Sequence, residues 1–180
     1  KVGLEMFTSE GPSSVEKLKE EGWKVFLDLK LHDIPNTVKA ATESAGNIGA
    51  DFLTIHIASG NEALDAAQEV KSNSMKILGV SSALTSKAFT STTSDEVLND
   101  FLKAKESKID GVICPPSEIS RSKELFNLIV TPGIRLKNDT NDDQKNITTP
   151  EKAIESGADY LVMGRSIRNN IEYVVENLTL

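Results

Sequence analysis

The chain has 180 residues, 38% of them hydrophobic and 26% charged, with 27 acidic residues against 20 basic and a net charge of −7. That is enough apolar material for a single globular domain over residues 1–180 with a buried core, and an acidic surface that disfavours nucleic acid and anionic membranes as partners. No apolar run approaches the roughly 20 residues of a membrane span, and the opening KVGLEMF lacks the basic and apolar regions of a signal peptide. The one cysteine, Cys114 in GVIC, fits a buried, inert thiol and a reducing compartment, the cytoplasm.

In chain order, strands are expected at 2–7, 25–31, 52–57, 76–81, 111–114, 128–131 and 160–163. Helical patterns fall between them at 13–21, 37–48, 62–71, 94–108, 116–126, 150–156 and 167–176. Ser94 is placed to cap one helix, and Thr149 to cap another with Pro150 at its first position. Strands alternating with helices read as βαβ units on a parallel sheet. The expected fold is an α/β (β/α)₈ TIM barrel. Only seven strands are found and the chain opens on one of them, so the first βα unit is expected to be missing from its N-terminus. An open doubly wound sheet is the alternative, weakened by the absence of a Gly-rich dinucleotide turn near the start.

In VFLDLKL, Leu27, Leu29 and Leu31 share one face of the strand; Phe26, Asp28 and Lys30 share the other. In a barrel the leucines would pack on the outer helices and the charged pair would point inward near the strand's C-terminal end, where barrels place catalysis. Such a pair needs a reason to tolerate its desolvation. Asp33 follows in the loop, giving D-x-K-x-x-D; the plain alternative is an Asp–Lys pair on a solvated face. Arginine is scarce, with Arg121, Arg135, Arg165 and Arg168 making up the whole set, and three of the four fall in or beside Gly-containing turns late in the chain. Its planar fork suits phosphate.

LDLKLHDIPNTV resembles the active-site segment of orotidine 5′-phosphate decarboxylases, of the bacterial branch. KVGLEMF, HIASG (56–60), ALTS (83–86), VTPGIR (130–135), VMGRSI (162–167) and NDDQKNITTPEKAIESGAD match the same family in the same order. The resemblance implies cofactor-independent decarboxylation of orotidine 5′-monophosphate to UMP and CO₂, in de novo pyrimidine synthesis. It implies a charge network of Lys1, Asp28, Lys30 and Asp33, within a homodimer whose Asp33 reaches the neighbouring site. Lys30 would stabilise the carbanion formed at C6 and protonate it. Asp28 would disfavour the bound substrate carboxylate, and Lys1 and Asp33 would hold the charges in place.

Phosphate binding in such barrels favours the loops after the last strands. Gly164 offers close backbone approach and Arg165 a charge-assisted contact. Arg135 opens the polar segment RLKNDTNDDQKN, a candidate lid; its plainer role is a salt bridge to Asp139 or Asp142. By resemblance Gln144 bridges phosphate and pyrimidine, Thr85 contacts the pyrimidine amide, and Thr37 contacts the neighbour's ligand. No role carries over to Arg168. His32 and His56 are expected to be structural, and no metal-ligand spacing stands out.

Two other readings stand beside this one. A Mg²⁺-dependent sugar-phosphate lyase of the 3-keto-gulonate 6-phosphate decarboxylase kind shares D-x-K-x-x-D but lacks the IPNT continuation and the DDQ segment. A catalytically silent phosphate-binding barrel would have no use for burying Asp28 and Lys30 and retaining Asp33.

Overall fold

The computed structural model describes residues 1–85, 93–136, 147–164, 167–168 and 171–172. Two compact units emerge, Lys1–Gly111 and Val112–Leu180. In the first, β1 (Val2–Gly3), β2 (Phe26–Leu31), β3 (Phe52–His56) and β4 (Lys76–Val80) lie side by side in chain order, all parallel. Between or after them run α1 (Leu4–Glu10), α2 (Ser13–Glu20), α3 (Pro35–Asn47), α4 (Asn61–Val70) and α5 (Thr93–Glu106). The second carries β5 (Gly111–Ile113, beginning at the boundary), β6 (Ile129–Thr131) and β7 (Tyr160–Leu161), again parallel and in chain order, with α6 (Ile119–Lys123) and α7 (Pro150–Glu155). A doubly wound sheet reverses its winding at a switch point. Neither unit does, so both wind as a barrel does.

The strands form the cores because their residues alternate or run apolar between polar helices. Val2, Leu27, Leu53, Ile55, Ile77 and Leu78 are almost wholly buried, as are Leu64 of α4 and Phe101 of α5. Val112, Ile129, Ile134 and Ala153 do the same in the second unit.

Three expectations are corrected. The strand foreseen at 2–7 stops at Gly3, because LEMFTSE is rich in helix formers and turns at once into α1, which Gly11 terminates at φ 64°. The helix foreseen at 116–126 is a 3₁₀ turn, Pro116–Glu118, followed by the short α6. Ser94 lies inside α5, which begins at Thr93. Thr149 does cap α7, its hydroxyl accepting from the Lys152 N–H at 3.4 Å with Pro150 behind it.

A repeated latch ties the N-terminal ends of neighbouring strands. Asp51, just before β3, accepts the Val25 N–H at 2.7 Å and pairs with Lys19. Asp110, before β5, accepts the Ile77 N–H at 2.9 Å and pairs with Lys71 and Lys76. Asp159, before β7, accepts the Ile129 N–H at 2.7 Å and pairs with Lys123. For Asp110, burial raises the pKa, but the Ile77 N–H and the two lysines outweigh it and the carboxyl titrates below its ordinary value. A depressed carboxylate stabilises the fold above the ordinary carboxylate range and loses that contribution as pH falls through its own pKa. Asp110→Ala is therefore expected to cost about 2 kcal/mol near neutrality, the penalty of an unpaired buried N–H. The gap between variant and wild type should narrow below about pH 4. Urea midpoints at pH 7 and pH 3 check this; an equal gap at both would refute it.

Candidate active site

The centre of the site lies on β2, and its geometry departs from regular strand. Leu27 pairs with Leu53, but the next partners are Leu31 and Ile55, so β2 spends four residues where β3 spends two. The excess is absorbed at Lys30, whose φ is 51°. A left-handed backbone at a residue other than glycine costs about 1–2 kcal/mol. Such strain persists where the surroundings over-determine it. The regular alternation expected through 25–31 is thus broken, and Leu29 and Leu31 are only partly buried rather than packed under helices.

The distortion leaves Asp28 and Lys30 in one cluster. Asp28 is 7% exposed. Its Oδ2 accepts from Lys30 Nζ at 2.8 Å and from Lys1 Nζ at 2.5 Å, while its Oδ1 accepts from the Thr54 hydroxyl at 3.0 Å. Lys1 also stands 6.0 Å from the Phe26 ring centre. Burial pushes the Asp28 carboxyl upward, but the two ammonium groups prevail and hold it below the ordinary carboxylate range. The arrangement is a fixed anion flanked by two cations, one of them on strained backbone at the C-terminal part of a parallel strand.

Asp33 and Thr37 are positioned by local rules. Pro35 opens α3 and holds Ile34 extended at ψ 156°. Asp33 just ahead of it is exposed and caps the Ile34 N–H at 2.7 Å. Among the described residues it pairs with no lysine of its own chain. Thr37, one turn further on, is exposed too. The structure therefore gathers Lys1, Asp28 and Lys30, and keeps Asp33 and Thr37 outside that cluster at the start of α3.

Thr85 follows a short 3₁₀ turn and is exposed, its hydroxyl donating to the Ser82 carbonyl at 3.1 Å. In the second unit, Arg135 is half-buried with Nη1 donating to the Ile134 carbonyl at 2.9 Å. Its backbone N–H donates to Thr148, forming a parallel bridge between Ile134 and Thr148. Gly164 is exposed, a side chain there would meet open space, and its carbonyl accepts the Arg168 N–H at 3.1 Å. Gln144, Arg165, Asp139 and Asp142 lie outside the described residues.

Outside the site, the buried, inert thiol expected at Cys114 is what the structure holds. Cys114 is buried, its thiol pushed up to about 12 by that burial and bonded to Ser122 at 3.2 Å. The His56 ring lies 5.3 Å from that of His32 with the planes tilted by 45°, and burial followed by this neighbour holds its pKa below the ordinary histidine value. Sequence reasoning missed Thr54, which is fully buried and bonded to both members of the central pair.

The sequence model of the orotidine 5′-phosphate decarboxylase / HUMPS family matches residues 1–176. The chain belongs to this family. Within the orotidine 5′-phosphate decarboxylase / HUMPS family, a relative in Bacillus cereus strain Q1 named orotidine 5′-phosphate decarboxylase is 41% identical, the match covering 93% of this chain and 78% of that protein. The crystal structure of orotidine 5′-phosphate decarboxylase from Lactobacillus acidophilus superposes with a TM-score of 0.78 at 30% identity, over 99% of this chain and 86% of that one. A conserved protein of Geobacillus kaustophilus gives 0.75 at 36% identity, over 93% and 79%. The fold class is accordingly the α/β class of (β/α) barrels.

Proposed function

We propose that this chain decarboxylates orotidine 5′-monophosphate to UMP and CO₂ in pyrimidine biosynthesis, without a cofactor. The observation that carries this reading is the Asp28 carboxylate held between Lys1 and Lys30, in a family whose relatives at 30–41% identity bear that activity in their names. Lys30 is the acid: as the C6–carboxylate bond breaks, its ammonium stabilises the electron pair left on C6 and then delivers a proton to it. Asp28 repels the substrate carboxylate and is relieved when CO₂ departs. Lys1 keeps Asp28 oriented. Gly164 and Arg165 bind the phosphate with Arg135, Gln144 spans phosphate and pyrimidine, and Thr85 reads the pyrimidine amide. The whole chain acts as one barrel domain in the cytoplasm; no helix among the described residues is long and apolar enough to cross a membrane.

The direct test is CO₂ release from orotidine 5′-monophosphate in the presence of a strong chelator. Undiminished turnover supports the reading. Activity on a keto-gulonate phosphate that the chelator abolishes would replace it with the Mg²⁺-dependent branch of the family, and tight UMP binding without turnover would leave a silent barrel.

The working unit in this proposal is a homodimer with shared sites. Asp33 and Thr37 are exposed, Asp33 has no lysine partner in its own chain among the described residues, and between them Ile34 leaves 66% of its surface exposed. A large apolar side chain beside two polar groups suits an interface that delivers them to a partner's site. Mixing an Asp33→Ala protein with a Lys30→Ala protein should restore activity through heterodimers carrying one intact site. If no activity returns while heterodimers form, Asp33 does not serve the neighbour.

A further inference from the structure

We infer that Thr54 is a positioning residue for the Asp28–Lys30 pair, fixing both the carboxylate and the backbone that carries the lysine; this rests on the function proposed above. Thr54 sits in the middle of β3, fully buried. Its hydroxyl makes two bonds at once. It accepts the Lys30 backbone N–H at 2.9 Å and donates its own proton to Asp28 Oδ1 at 3.0 Å.

Each bond answers a specific need. In a regular parallel pair the Lys30 N–H facing β3 would bond to a backbone carbonyl. The bulge and the left-handed turn at Lys30 remove that option, and the Thr54 hydroxyl supplies the acceptor instead. A buried N–H left unpaired would favour relaxation of the bulge, and relaxation would swing the lysine side chain away. On the other side, Asp28 has two oxygens and the lysines use only Oδ2. The bond from Thr54 fills Oδ1 and fixes the rotation of the carboxylate plane. The donor and acceptor capacity of one hydroxyl is thereby matched to two groups on the opposing strand. Thr54 need touch no substrate atom for this; it acts through its neighbours.

Thr54→Val keeps the shape and removes both bonds, while Thr54→Ser keeps both. For the valine variant kcat should fall about 10- to 100-fold, the effect of a misplacement near 1 Å, with KM within threefold of wild type; the serine variant should stay within threefold in both. In the ligand-free protein, hydrogen exchange at the Lys30 amide should lose at least about tenfold protection in the valine variant and keep it in the serine variant. Thr42→Val is the control, removing an equally buried threonine hydroxyl that bonds the Val38 carbonyl in α3; it should leave kcat and Lys30 protection unchanged. If Thr54→Val does not fold, Thr54→Cys, with similar volume and only a weak donor, takes its place under the same criteria. The proposal is overturned if kcat or Lys30 protection stays within threefold of wild type in the valine variant, or if serine is as impaired as valine. Should the wild type release no CO₂, the functional reading falls, and amide protection alone decides the role of Thr54.

Discussion

Lys30→Ala is expected to lower kcat by at least about 10⁴-fold while the protein stays folded. Two separate contributions disappear with this ammonium. Removing a preorganised charge from a developing anion typically costs about 10²–10³ in rate, and removing a positioned proton donor about 10²–10⁴. In the proposed mechanism one group performs both in turn, so the losses compound. The fold should tolerate the change. The side chain is roughly a third exposed, Asp28 keeps Lys1, and an alanine keeps the backbone bond to Thr54. Single-turnover assays with circular dichroism on the same samples check both halves. Turnover within tenfold of wild type would show that Lys30 is not the acid.

Asp28→Asn is expected to lower kcat about 10²- to 10³-fold and to leave KM unchanged or smaller. The split follows from where Asp28 acts. If its charge opposes the substrate carboxylate, neutralising it removes repulsion in the bound state, so binding improves as catalysis worsens. A carboxylate that only anchored substrate would give the reverse, a raised KM with kcat preserved. The variant should also melt lower, since Lys1 and Lys30 lose the anion between them and a charge-assisted hydrogen bond contributes about 1.5–3 kcal/mol. A KM that rises with kcat unchanged would sink this role for Asp28.

Much of the architecture is legible in the residues. Short apolar runs between polar helical stretches place β2 to β7 within a residue or two, and Thr149 with Pro150 marks the start of α7, whereas α3 begins at Pro35, two residues before its expected start. The pair Asp28 and Lys30 stands out because charge at spacing two on a buried strand is costly. What stayed hidden was hidden for physical reasons. FLDLKL is a flawless period-two pattern, and nothing in it signals the bulge; a left-handed residue is usually announced by glycine or asparagine, not lysine. Thr54 in FLTIH reads as a β-branched core residue, since a hydroxyl's partners lie on another strand. Leu4, Met6 and Phe7 look like part of a strand, yet Leu, Glu and Met are also good helix formers, and the segment turns into α1 with none of its residues buried. Asp33 and Asp28 look alike in D-x-K-x-x-D, yet one is buried between lysines and the other exposed ahead of a proline-led helix. The aspartate latches do leave a cue in the sequence: Gly-Ala-Asp recurs at 49–51 and 157–159, each time directly before a strand.

Those latches also bear on how the chain assembles. The backbone amides they capture lie 26, 33 and 30 residues away in sequence. Loop-closure entropy grows only as the logarithm of length, so the smallest and largest of these closures differ by about 0.2 kcal/mol. None of these three pairings has an entropic head start over the others. The order in which they dock during folding is then set by side chains and by the direction of synthesis, with Val25 and Asp51 the first of the three to meet as the chain emerges.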